Sequence, residues 1–236
     1  ASCLVGSEMC IRDRHGIEFT ISSKNIQSKD FSWNTDFIFS KAKNEVTELN
    51  ARSSVMDLVS GYGFARQGYP VRGLFSIPFV GLSSNGIPMY NINGKITSTD
   101  IDFQTRDNID YLKYEGPTDP TITGSFGNIF TYKAFKLNVF ITYSFGNVVR
   151  LNPCFNYQYS DLSSMPREFK NRWTVPGDEK HTNIPAIISK RQYEDNKDLM
   201  YAYNAYNYST ERIAKGDFIR MKEISLSYDF PKSWIT

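Results

Sequence analysis

The chain has 236 residues, 40% hydrophobic and 15% aromatic, with 27 Lys and Arg against 25 Asp and Glu for a formal charge of +2. At roughly 150 residues per domain there is room for one large domain or two small ones, and the near-balanced charge points away from nucleic acid as a dominant partner. So many rings exclude a disordered chain, three cysteines are too few for a disulfide scaffold, and no window of about 18 consecutive apolar residues offers a transmembrane helix. A membrane β-barrel stays open. Its strands are apolar only at alternate positions, so mean hydropathy stays low, as here at -0.42, while girdles at the two interfaces raise the Phe and Tyr count.

Residues 1–14 hold Cys3 and Cys10 and show no alternation that continues into the neighbouring segment. The run SEMCIRDR at 7–14 resembles the conceptual translation of a sequencing adaptor, so the stretch is expected to be a non-native leader. As a secretory signal its apolar part is too short and no basic region precedes it. Setting it aside leaves Cys154, and no intramolecular disulfide or cysteine-based metal site is expected.

In residues 16–25 Ile17, Phe19 and Ile21 alternate with Glu18, Thr20 and Ser22, the period of a strand with one apolar face. A polar turn is expected at 24–29. The next strand carries Phe31, Trp33, Phe37 and Phe39 on one face and Ser32, Asn34, Asp36 and Ser40 on the other, with Thr35 and Ile38 off pattern. Two such runs across a short polar link read as a hairpin.

Two or three more strands are expected between Val71 and Asn93. Residues 122–132 place Ile122, Phe126, Phe130 and Tyr132 opposite Thr123, Ser125, Gly127 and Thr131, and a very short turn at Lys133-Ala134 leads into the clearest segment, 135–146. There Phe135, Leu137, Val139, Ile141, Tyr143 and Phe145 fill one face without a break. Helical periodicity is confined to 161–173. A last strand over 218–230 sets Ile224, Leu226, Tyr228 and Phe230 against Glu223, Ser225, Ser227 and Asp229, and Pro231 ends it, having no amide hydrogen to donate. The chain stops at Thr236 soon after, and truncation at both ends is expected.

Strands of about 10 to 13 residues exceed the globular mode and suit a tilted bilayer crossing. The connections 41–72 and 147–217 are long and polar while others are a few residues, which is the pattern of an outer-membrane barrel with short turns on one side and long loops on the other. The competing reading is a soluble, aromatic-rich, carbohydrate-binding β-sandwich whose apolar rows are core.

Several segments, in shared order, resemble the barrel of SusC/RagA-family TonB-dependent outer-membrane transporters: GIEFT at 16–20, FSWNTDF at 31–37, KNEVTEL at 43–49, GYPV at 68–71, Gly81-Leu82, GIP at 86–88, Gly116-Pro117 and YKAFKL at 132–137. The most specific are RWTVPGD at 172–178 and GDFIRMKEISLSYDFP at 216–231. The resemblance implies an all-β fold: residues 15–236 as part of an antiparallel transmembrane β-barrel, one curved open sheet of about six to eight strands with long extracellular loops, out of the roughly 22 of a large plugged barrel. It implies location in the outer membrane of a Gram-negative cell and import of oligosaccharides or peptides with TonB-derived energy. The implied partners are a SusD-like surface lipoprotein, the TonB complex through a region not in this chain, and outer-membrane lipid, with no cofactor and no enzymatic step. Taken alone, such a piece is expected not to fold stably in water, since it would leave open edges and an uncovered lipid face.

The best candidate ligand platform is Tyr193, Tyr201, Tyr203, Tyr206 and Tyr208, interleaved with Asn196, Asn204 and Asn207, because flat rings stack on sugars and amides pair with hydroxyls. Loop packing, a lid contact or a bilayer-edge girdle accounts for the same residues. Trp173, with Pro176 and Asp178, reads as a structural fold-back of a long loop. His181 has no nucleophile motif around it, and His15 adjoins the leader. The acid pairs Asp100/Asp102 and Asp107/Asp110 lack EF-hand spacing and nothing sets two carboxylates across a cleft. Gly61-Tyr62-Gly63 is not continued as a phosphate loop. Catalytic and metal-binding residues are therefore not expected.

Overall fold

The computed structural model describes residues 10–61, 65–155 and 164–231. In chain order the elements are β1 (Cys10–Gln27), β2 (Phe31–Leu49), α1 (Val55–Ser60), β3 (Gly73–Ser76), β4 (Phe79–Leu82), β5 (Pro88–Ile92), β6 (Lys95–Thr97), β7 (Lys113–Pro117), β8 (Ile122–Tyr132), β9 (Phe135–Phe145), β10 (Val148–Arg150), α2 (Lys190–Asp195), α3 (Leu199–Asn207), β11 (Ile213–Lys215) and β12 (Phe218–Tyr228). They divide between two compact units: residues 13–45, 119–147 and 215–236 form one, and residues 1–12, 46–118 and 148–214 the other.

The first unit is a single sheet in the order β1-β2-β8-β9-β12. Directly paired residues share a face, so the register assembles two unlike surfaces. Phe31, Trp33, Phe37 and Phe39 lie opposite Tyr132, Phe130, Phe126 and Gly124, and these in turn lie opposite Phe135, Leu137, Ile141 and Tyr143. On the far side of β9, Leu137 and Val139 meet Leu226 and Ile224, and Ile141 and Tyr143 meet Met221 and Ile219. The other face carries Ser32, Asn34 and Asp36 of β2, Thr131, Gly127 and Ser125 of β8, Lys136, Asn138 and Ser144 of β9, and Ser227, Ser225 and Glu223 of β12. A β-bulge between Met221 and Glu223 lets the odd-numbered Ile219 and Met221 share the apolar face with the even-numbered Ile224 and Leu226; without the extra residue that row would cross to the polar side.

Strands β8, β9 and β12 have 11 residues each. At ~3.3 Å per residue and a ~40° tilt they project to ~28 Å, about the hydrocarbon thickness of a bilayer. Strands β1 and β2, with 18 and 19 residues, run well past that. One end of the sheet has tight turns: residues 28–30, where Ser28 Oγ accepts from the Phe31 amide at 3.1 Å, and Lys133-Ala134, with Lys133 at φ 52. The connections at the opposite end are long. The large apolar residues on one side stay uncovered, Ile219 and Leu226 both 69% exposed, and among the described residues no second sheet belongs to this unit. That is a partial barrel wall, not a sandwich.

Two expectations shift in detail. The strand β1 runs to Gln27, so the turn is 28–30 and not 24–29, and it begins at Cys10, within the stretch set aside as leader; residues 1–9 lie outside the described residues. The strands between Val71 and Asn93 exist but do not extend the wall. They are four or five residues long, too short to cross a bilayer, and pair in small separate sheets, β3 with β7 and β4-β5-β6. The long sheet therefore has five strands, below the six to eight expected.

Glycines shape the wall where rings need room. Tyr143 lies over Gly124 and its hydroxyl donates to the Ile38 carbonyl at 2.9 Å; a Cβ on Gly124 would collide with both groups. Near the short-turn end, Asn128 is buried within the apolar face and accepts from Trp33 Nε1 at 2.9 Å and Thr35 Oγ1 at 2.8 Å. The one polar spot of that row is thus hydrogen-bonded within the sheet, as an apolar solvent demands.

The second unit packs around two clusters. One joins Val55, Leu58 and Val59 of α1 to Phe75, Ile77, Tyr90, Ile101, Phe103 and Leu112. The other joins Cys154, Phe155 and Phe169 to Ala202, Tyr203 and Tyr206 of α3. Arg150 ties the unit together: Nε donates to the Val59 carbonyl at 3.0 Å, Nη1 to Ser209 at 3.3 Å, and Nη2 to Phe75 at 2.6 Å and Ser76 Oγ at 3.2 Å. Burial pulls its guanidinium down to about 10, still a cation at neutral pH, and the carbonyls answer its donors.

Candidate functional site

A cavity of about 730 Å³ in the second unit is lined by Met56, Ile101, Asp102, Phe103, Gln104, Phe155, Met200, Tyr201, Tyr203 and Asn204. Its first wall is set by the start of α1. Ser54 caps that helix in a reciprocal box with Asp57, and two further first-turn amides, which no helical carbonyl can reach, are taken by the neighbouring segment: Val55 N donates to Thr105 O at 3.1 Å and Met56 N to Phe103 O at 2.9 Å. Residues 101–104 are thereby pinned with Ile101 and Phe103 buried and Asp102 and Gln104 exposed.

The second wall is α3. Tyr90 on β5 donates its hydroxyl to the Ala202 carbonyl at 2.7 Å. Asn207 behaves like a strand neighbour to residues 154 and 155, accepting from both amides at 3.0 Å and donating to the Phe155 carbonyl at 2.9 Å. Phe155 meets Tyr203 and Tyr206 edge-on, each at 5.2 Å between ring centres. Burial raises the Tyr90 and Tyr206 hydroxyls well above the ordinary tyrosine range. Tyr111 is pushed up to about 12, first by burial and then by the Asp102 carboxylate.

The candidate platform is split by this geometry. Tyr201, Tyr203 and Asn204 line the cavity, and Tyr201 is 43% exposed. Tyr206 points into the core, with Phe79 edge-on at 5.7 Å, so its ring offers no face to a ligand. Tyr208 packs against the other cluster and sits under Arg150 at 5.6 Å. Tyr193 lies on α2 and Asn196 caps that helix's end; neither lines the cavity. The other half of the lining, Met56 and 101–104, lies about a hundred residues away in sequence and is not part of the sequence-derived set; its one signal is the in-out alternation of Ile101 to Gln104.

The remaining candidates are engaged in structure. Trp173 Nε1 donates to Glu179 Oε2 at 3.1 Å, and Asp178 accepts from the Thr174 and Val175 amides at 2.9 and 3.0 Å, which is the expected fold-back of the loop. Amide hydrogen bonds hold the Asp178 and Glu179 carboxyls below their ordinary range. Asp100 pairs with Lys95 at 2.9 Å, Asp107 with Arg52 at 3.0 Å, and Asp110 with Arg66. A smaller, more polar cavity of about 350 Å³ lies beside these last two pairs. His181 is exposed. Tyr62, Gly63 and residues 161–163 lie outside the described residues.

No family model matches the chain. It is 25% identical over 253 residues to TonB-dependent receptor P3 of Formosa agariphila, covering 94% of this chain and 22% of that protein. It is 24% identical over 262 residues to TonB-dependent receptor P39 of the same organism, covering 92% and 24%. Among solved structures it is similar to the RagAB peptide transporter, with TM-score 0.66, 20% identity, 94% of this chain and 23% of that one. It is also similar to the RagAB peptide importer in its open-open state, with TM-score 0.63, 18% identity, 97% and 23%. The chain spans about a quarter of the length of these proteins. Its similarity in sequence to these TonB-dependent receptors, and in fold to the RagAB structures, agrees with the motifs that carry the resemblance.

Proposed function

We propose that this chain is part of the wall and outer loops of a Gram-negative outer-membrane transporter that imports oligosaccharides or peptides with energy delivered through TonB. The observation that carries this reading is the five-stranded sheet with one face of aromatic and aliphatic residues broken by Thr35 and Asn128, one mainly polar face that also holds Ile38, Ile129 and Phe140, tight turns at one end and long connections at the other. The apolar row would meet lipid and the polar row a watery lumen. A SusD-like lipoprotein would close over the ligand at the outer surface. No bond is made or broken in this scheme; the residues bind and release.

The test is deletion of the full-length gene that carries this segment, followed by uptake assays with labelled oligosaccharide and peptide mixtures. The reading expects uptake of one class to be lost, to return with the intact gene, and to stop when the proton-motive force is collapsed. Uptake unaffected by deletion, or insensitive to the proton-motive force, would overturn it.

A further inference from the structure

The cavity between α3 and residues 101–104 has a chemistry narrower than the class of importer it is read to belong to. Its volume of about 730 Å³ is that of a small-ligand pocket. A sugar site presents ring faces and converging polar groups. Here Phe103, Phe155 and Tyr203 are only 7%, 6% and 4% exposed, Phe103 packed against Tyr208 and Phe155 against Tyr203, and Tyr201 is the ring left open. Beside the polar Gln104, Tyr201 and Asn204, the cavity offers two methionines, Met56 and Met200, whose flexible thioethers adapt to varied apolar shapes.

Charge gives the second constraint. Asp102 is the one charged side chain in the described lining. The other acids nearby, Asp100, Asp107 and Asp110, each form a salt bridge. Among the described residues Asp102 forms none; its Oδ1 accepts from the Gln104 amide at 2.8 Å, which fixes the carboxylate at the rim. Its field is felt nearby, since it helps to raise Tyr111.

We infer that this cavity seats an apolar side chain of a short cationic peptide, and that Asp102 selects the positive charge beside it. The inference rests on the import reading and deepens it, because it names the ligand's charge and polarity.

The experiment uses the full-length receptor in detergent and calorimetric binding of the tetrapeptides AFKA, AFEA and AGKA and of a neutral hexasaccharide. An exposed carboxylate attracting one charge and repelling the other, each worth up to about fivefold, should make AFKA bind about tenfold more tightly than AFEA. AFKA should also exceed AGKA, and the hexasaccharide should not displace it. Asp102→Asn should bring AFKA and AFEA within about twofold, and Met200→Trp, which fills the apolar part, should remove the advantage of AFKA over AGKA. Unchanged outer-membrane levels of both variants show that they fold. Equal binding of AFKA and AFEA to the parent, a preference that survives Asp102→Asn, displacement by the hexasaccharide, or no peptide binding would each overturn the inference. If uptake nonetheless depends on the gene and on the proton-motive force, the inference alone has failed; if it does not, the import reading has failed with it.

Discussion

Gly86 should be intolerant of a single methyl group. Its φ is +73, and a Cβ there would lie 2.5 and 2.6 Å from Cδ2 and Cε3 of Trp173 and 2.8 Å from the Ala186 Cβ. An indole cannot be compressed by an ångström, so Gly86→Ala must move it. Trp173 holds a strap: its amide donates to Ile184 O at 2.9 Å, Ala186 N donates to Gly86 O at 3.0 Å, and the indole donates to Glu179. The left-handed backbone costs about 1 kcal/mol for a residue with a Cβ, and losing one or two hydrogen bonds adds about 1 to 3, so local opening should become easier by about 2 to 4 kcal/mol. Hydrogen exchange at the Trp173 and Ala186 amides should then accelerate about 30-fold to 1000-fold. Gly94 is the control: its φ is +87 but a Cβ there would meet nothing within 4 Å, so Gly94→Ala should show only the backbone cost of about 1 kcal/mol in its own hairpin. If both substitutions shift exchange equally, the contact with Trp173 contributes nothing and the reasoning is wrong.

The same ring-over-glycine logic predicts that Gly124→Val displaces Tyr143 and lowers wall stability by about 1 to 3 kcal/mol, read as a lower urea midpoint for the detergent-folded receptor; an unchanged midpoint would count against it. Asn128→Ala removes the acceptor of Trp33 Nε1 and Thr35 Oγ1 and should cost about 1 to 3 kcal/mol, whereas a neutral result would mean that water or lipid headgroups satisfy both donors. Acid should loosen the Trp173 strap. Asp178 and Glu179 have carboxyls held below their ordinary values in the folded loop, so their contribution is full above the unfolded values near about 4 and is lost as pH falls through the lower folded ones. A fluorotryptophan resonance assigned to Trp173 should be constant from about pH 7 to 5 and shift only below about pH 4; movement between about pH 7 and 5 would contradict it.

How much was legible depended on whether a local period survived. Residues 135–145 alternate without interruption, and the strand, its turn at Lys133-Ala134 and its partner over 122–132 stand where the alternation puts them. The strand β12 is legible only from Ile224 onward, because the bulge after Met221 resets the parity and a period of two carries no sign of it. The Tyr- and Asn-rich stretch reads as loop, yet Leu199, Ala202, Tyr203 and Tyr206 fall at helical spacing and are buried on α3. Burial overrode the middling helix propensity of Tyr and Asn. Conversely, within 161–173 the described part holds only a 3-10 turn, Arg167–Asn171. Two local signals point to structure in plain sight: the Asn93-Gly94 turn joining β5 to β6, and the Ser54 to Asp57 capping box of α1. The cavity itself is half legible. Tyr201, Tyr203 and Asn204 carry chemistry that composition reveals, whereas Asp102 becomes distinctive only once Asp100, Asp107 and Asp110 are seen in salt bridges and, among the described residues, Asp102 is not.

The central claim is that one face of the long sheet meets lipid and the other meets water. Nitroxide spin labels at Ile224 and Leu226, and at Ser225 and Ser227, in the full-length receptor reconstituted into bilayers test it directly through collision rates with oxygen and with a water-soluble nickel chelate. The account predicts oxygen-dominated relaxation at 224 and 226 and nickel-dominated relaxation at 225 and 227. Equal accessibility at all four sites, or the reverse pattern, would contradict it.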